Sequence, residues 1–172
     1  ETGRGDAGFV ADVVGALDGV AGLASVTRGC AAFHLWCSLD ERPEHLRGLE
    51  AAVLGARLAA GQGGVAFLPL ALTGFGALVA SGPPERRLAA WVQGAHRAVL
   101  AALMALERLA AWRQRAEAGT ADLSGRTPAR LIAALAAQPM LGAGQAGSET
   151  GASRAAVLRN LDLLVARGLV RE

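Results

Sequence analysis

A chain of 172 residues, 52% hydrophobic and 4% aromatic, suits one domain or one domain with a small module, and hides roughly 70% of its unfolded surface. Its 17 basic and 15 acidic residues leave a formal charge of +2, too little by itself to identify a nucleic-acid binder. Alanine and leucine dominate, isoleucine occurs once and tyrosine is absent, which predicts an all-α protein.

Every basic residue is arginine, which points to a GC-rich genome rather than to a special chemistry. Two cysteines make no disulfide framework and predict a cytoplasmic setting. The opening Glu1–Asp6 has no signal-peptide character and reads as the interior of a longer chain. Its Arg4-Gly5-Asp6 spells an adhesion tripeptide, a triplet that arises by chance and carries no weight.

Phe9 to Val26 places Phe9, Val13, Leu17 and Val20 on one face of a helix loosened by glycines. Arg28 to Leu39 predicts a second helix, stopped by Asp40-Glu41-Arg42-Pro43, and a third runs from near Pro43 to about Ala60. Gly61-Gln62-Gly63-Gly64 is a flexible loop. It has neither the Gly-Lys-Ser/Thr ending nor the preceding strand of a phosphate cradle. Leu58 to Pro84 contains no charged residue, yet Gln62, Pro69, Thr73 and Ser81 interrupt it. It reads as a buried irregular segment or a short broken helix, and no membrane partner is expected. After Pro83-Pro84 comes the longest helical pattern, Glu85 to Ala118. Its apolar stripe includes Leu88, Trp91, Val92, Ala95, Val99, Leu103 and Leu106. That helix is expected to be the central core helix and to contribute a dimer seam. Gly119 to Arg126 forms a turn-rich linker, which places a helical dimerisation domain over 1–119 and a smaller module over 120–172.

The module predicts three helices and the start of a strand. Thr127 caps a helix beginning at Pro128, and Pro139 interrupts it. The next segment, Gly142 to Thr150, has three glycines and no large apolar residue. Gly147 stands where a helix-turn-helix commonly carries alanine. Gly151-Ala152-Ser153 makes the turn, Ser153 caps the last helix, and Val157, Leu161 and Leu164 share its inner face. Gly168-Leu169-Val170-Arg171 then reads as the first step into a wing. The expected fold is therefore all-α: a helical bundle with a long central helix, followed by a winged helix-turn-helix.

In such a module the second helix enters the major groove. The expected DNA-binding residues are Ser153, Arg154, Ala155, Leu158, Arg159 and Asn160, with Arg126 and Arg130 on flanking phosphate. Arginine suits either task, since it pairs bidentately with guanine or grips phosphate. Arg167, near the helix C-terminus, has the structural role of offsetting the helix dipole.

Other chemistry is weaker. Cys30, His34 and Cys37 share a helix face and, with His45, offer a zinc alternative, but one helix does not readily wrap a tetrahedron. Small cysteines packed beside Phe33 and Trp36 are the commoner arrangement, so no metal and no cofactor is expected. His96 has no nearby carboxylate in sequence and is read as structural, and no catalytic constellation appears, so no enzymatic activity is expected.

With these residues in view, the chain resembles an alphaproteobacterial, often plasmid-borne family that joins a helical domain of unknown function to a C-terminal helix-turn-helix. The resemblance rests on Arg87-Leu88-Ala89-Ala90-Trp91, Leu106–Trp112, Asp122–Pro128, Thr150–Ala156 and Ala166–Glu172, and covers the C-terminal half best. It implies a DNA-binding regulator. Members usually continue into a wing ending in basic and aromatic residues, so the resemblance implies a fragment with its wing cut short. The resulting expectation is a homodimeric regulator on double-stranded DNA. Two alternatives stand beside it: a protein-interaction module built on a winged helix, and an effector-binding regulator with a pocket around Leu58 to Pro84 near Trp91.

Overall fold

A computed structural model describes residues 6–62, 64–72, 75–138 and 140–171. The described residues form eight α-helices and one 3₁₀ turn, with no β-strand. The helices are α1 (Asp6–Asp18), α2 (Ser25–Leu39), α3 (Glu44–Ala60), α4 (Phe75–Leu78), α5 (Pro84–Ala118), α6 (Thr127–Ala137), α7 (Ala143–Thr150) and α8 (Arg154–Ala166). The 3₁₀ turn covers Leu70–Leu72. Arg4, Gly5, Gly63, Pro139 and Glu172, and the side chains of Phe9 and His45, lie outside the described residues.

The helix expected over Phe9 to Val26 ends at Asp18, and Val26 belongs to α2. Between them Val20 and Leu23 donate to Leu17 and Val20 carbonyls three residues back, both at 3.0 Å. Gly19 and Gly22 flank this tightened turn, where helix propagation is weakest. The remaining long helices fall within a few residues of their expected limits. α5 is 35 residues, about 50 Å of helix.

The chain forms two compact units that divide between Leu103 and Met104, within α5. In the first unit Cys30, Phe33, Ala51, Ala59 and Ala95 pack around a fully buried Trp91. The Phe33 and Trp91 rings lie 5.6 Å apart between centroids. The charge-free stretch is irregular as expected, but buried only in part. Leu70 and Ala77 are inside, whereas Val65, Phe67, Leu72 and Val79 are exposed.

The second unit contains Met104–Ala118 of α5 together with α6, α7 and α8. Leu131, Ala146, Val157 and Leu164 form its core, with Leu135, Leu161, Leu169 and Val170 packed against them. α6 starts at Thr127 itself: Arg126 takes the N-cap place, no side chain caps it, and Pro128 is buried. Thr127 therefore does not serve as the expected cap.

The expected wing is absent from the described residues, and the local hydrogen bonds explain why. A wing is a hairpin whose backbone groups pair strand to strand. Here the Leu169 N–H donates to the Leu164 carbonyl at 2.9 Å, and its own carbonyl accepts from Trp112 Nε1 at 2.7 Å. The segment is committed to closing α8, and its apolar side chains join the core.

α5 is also long and apolar enough, by length and composition, to cross a membrane. Between Leu88 and Leu106 it carries Arg97 as its sole charged residue. Trp91, Ala95 and Ala98 on one side are buried, while Val92, Val99, Leu103 and Leu106 on the other are exposed. The stripe that reads as continuous in sequence is thus half covered.

Candidate nucleic-acid interface

The second unit presents two consecutive helices, α7 and α8, joined by Gly151, Ala152 and Ser153. Gly151 holds φ at +65°, a left-handed conformation that glycine adopts without Cβ strain, and its N–H donates to the Gly147 carbonyl at 2.9 Å. Thr150, only 2% exposed, donates to the Ala146 carbonyl at 2.7 Å and accepts the Ala152 N–H at 3.3 Å. Its hydroxyl therefore ties the end of α7 to the turn. Ser153 then caps α8 as expected, its Oγ accepting the Ala156 N–H at 3.3 Å.

α7 forms despite its two glycines, Gly144 and Gly147, because one of its faces is packed. Ala146 is fully buried and Thr150 nearly so, which fixes that face of α7 against its neighbours. α8 is fixed from beneath by Val157 and Leu164, which are 0% and 1% exposed. At its C-terminus Gly168 adopts φ +66°, with its N–H donating to the Val165 carbonyl at 2.8 Å. Together with the Leu169 to Leu164 bond this closes the helix in a Schellman motif, and the two leucines pack in one core.

The outer face of α8 carries Ser153, Arg154, Ala155, Leu158 and Arg159, all exposed. Arg154 and Arg159 make no hydrogen bond or ion pair with the described residues, so both guanidiniums are available to a ligand. Asn160 is half-buried and donates to its own helix through the Ala156 carbonyl at 2.8 Å, which spends one donor of its amide. Arg126 is exposed and unpaired among the described residues. Arg130 is exposed too, but its Nη1 donates to the Thr150 carbonyl at 2.8 Å, where it steadies the end of α7.

Arg167 is held rather than free. Its Nη2 meets Asp122 at 2.8 Å and its Nη1 reaches the Gly119 carbonyl. These bonds hold the Asp122 carboxyl below the usual carboxylate range. Two features were missed by sequence reasoning. Arg171 is exposed and unpaired among the described residues, disguised in sequence as part of a strand. Trp112 reads as one more apolar position of α5, yet its indole N–H anchors the chain after α8.

An apolar groove of about 780 Å³ runs beside α8, lined by Trp112, Met140, Leu158, Leu161 and Val170 among others. Met140 is 91% exposed and Leu158 42%.

The zinc alternative finds no support in the geometry. The described residues contain no cluster of three or more metal-ligating side chains. Cys30 is packed into the first unit's core, where burial pushes its thiol pKa up. Comparison with protein-family models, with curated proteins and with solved structures gives no match to this chain.

Proposed function

We propose that the protein is a DNA-binding transcriptional regulator that inserts α8 into the major groove and acts as a homodimer. The observation that carries this reading is the outer face of α8, with two unpaired arginines on a helix capped by Ser153 and fixed by Val157 and Leu164. α7, the glycine turn and α8 form a helix-turn-helix in this reading. The 13 residues of α8 make about 20 Å of helix, a rod the groove admits. Arg126 and Arg171 add unpaired positive charge, and the resemblance carried by Thr150–Ala156 implies the same role.

The dimer contact belongs to α5 in this reading. Val92, His96, Val99, Leu103, Leu106 and Ala110 alternate at spacings of four and three, the repeat of a coiled-coil seam, and all six are exposed. A second copy of the chain supplies the matching stripe.

Selection of bound sites from a random DNA library, followed by mobility-shift titration, tests the reading. Affinity is expected to fall steeply with salt. Arg154→Ala plus Arg159→Ala is expected to lower the salt slope by about two if both residues contact phosphate. An affinity indifferent to salt and to the double substitution would sink the idea.

A second reading follows from the groove beside α8. With Met140 and Leu158 exposed on one apolar surface, the same unit can seat a protein helix instead of DNA. Library selection that recovers no enriched sequence, together with a partner lost on Met140→Glu, would favour it.

A further inference from the structure

The first unit holds a cavity of about 960 Å³, within the size range of small-molecule sites. Its space has a sequence origin. Gly48, Ala52 and Ala56 follow one another at intervals of four on α3, so a row of small side chains stands where a filled core would carry leucine. Phe33 and His34 of α2 and residues 67–71 and 78–80 complete the wall. The mouth is apolar: Leu49 is 69% exposed, Phe67 56% and Val79 62%, all three lining the cavity. Leaving such side chains in water is unfavourable by roughly 25 cal/mol per Å² of apolar area.

The polar groups are few and of one kind. Among the described residues Arg47 and Arg57 are the charged members of the lining, and none of the lining residues is a carboxylate. Arg47 donates Nη1 to the Asp40 carbonyl at 3.0 Å, but its buried Nε has no hydrogen-bond partner among the described residues. His34 Nε2 is likewise buried and unpartnered among them. Arg57 is exposed and unpaired among the described residues. An apolar chamber with an unpaired arginine among its lining residues is complementary to an apolar molecule that carries one negative charge.

We propose that this cavity binds a monoanionic amphiphile, an acyl-chain or aromatic carboxylic acid, with its body against Ala52, Ala56 and Leu70 and its carboxylate on Arg57. This goes beyond the DNA-binding reading and does not rest on it. The site recognises charge as well as bulk, and that separates it from a merely greasy surface.

Decanoate, decanol and decyltrimethylammonium are the probes, titrated into the full chain below their micelle concentrations by isothermal calorimetry. Decanoate is expected to bind saturably at one per chain and at least tenfold more tightly than decanol, with the cation weakest. Arg57→Gln is expected to weaken decanoate about tenfold and to leave decanol unchanged, since Arg57 makes no hydrogen bond or ion pair among the described residues. Ala52→Trp, which fills the chamber, is expected to remove both, with circular dichroism confirming that the helices persist. Equal affinity for decanoate and decanol, a preference unmoved by Arg57→Gln, or no saturable decanoate binding overturns the proposal.

Discussion

Gly29 and Gly55 let α2 and α3 meet backbone to backbone. A methyl on Gly29 would fall 2.5 Å from the Gly55 carbonyl oxygen and 2.5 Å from Ala59 Cβ. One on Gly55 would fall 2.8 Å from the Trp91 ring. The two neighbours of Gly29 are a backbone oxygen and a Cβ, so there the helices themselves must part. Gly29→Ala is expected to destabilise the fold by about 1–3 kcal/mol, the range for overpacked cores, as read from urea denaturation. Unchanged stability would mean that α2 and α3 do not approach so closely. The sequence shows these glycines only as weak points in helix patterns, because close approach is a property of two segments at once. Ser153 is the opposite case. Its capping role is legible because the N–H it accepts lies three residues along its own chain.

At the scale of the element, α5 is the helix whose limits are clearest and whose partners are not. Pro83-Pro84 sets its start, and the 3.6-residue periodicity carries it to Ala118. Periodicity gives a single wide apolar stripe, whereas the fold covers Trp91, Ala95 and Ala98 and leaves Val92, Val99, Leu103 and Leu106 in the open. If a second copy covers that half, Leu103→Glu with Leu106→Glu is expected to convert a dimer into a monomer. The change would appear in sedimentation velocity with helicity retained. A wild-type chain already monomeric at high micromolar concentration would remove the seam from the proposal, and recovery only in detergent would assign the stripe to lipid. α7 shows the reverse mismatch. Its glycines make it thin as a sequence pattern, but it stands because Ala146, Thr150 and Arg130 tie it to its neighbours.

For the whole molecule, the response to acid follows from three groups. Burial, reinforced by the Arg87 charge, holds His34 below its ordinary value of 6.5. The unfolded chain therefore binds a proton first, and this part of the stability, complete above about pH 6.5, declines as pH falls below it. Asp40 is nearly buried. Hydrogen bonds from the Arg42 side chain, aided by its backbone N–H and charge, hold the carboxyl at about 2 against an ordinary 3.8. Asp122, bonded by Arg167, is shifted in the same direction. For both carboxylates the stability is present above about pH 4 and lost as pH falls through the folded values, for Asp40 near pH 2. Thermal melts are expected to weaken in two stages, one below pH 6.5 and one below about pH 4. Asp40→Asn is expected to shrink the second stage to the share of Asp122 and leave the first intact. An unaltered acid limb would show that the Arg42 contact contributes nothing.

What the sequence by itself determined is what neighbouring residues decide among themselves: helical composition, most helix limits, the glycine turn and the Ser153 cap. These depend on dihedral preferences and hydrogen bonds that span a few residues, so they can be read locally. The tertiary structure alone decided the rest. It spent Arg167 on Asp122 and Arg130 on Thr150 while leaving Arg154 and Arg159 free, and an arginine looks the same in sequence whether paired or not. It turned Leu169 into the closure of α8 rather than the start of a strand, because Trp112, distant in the chain, accepted the role of its hydrogen-bond partner. It also left a chamber beside Ala52 and Ala56, since empty space belongs to no residue and exists only where several segments fail to meet.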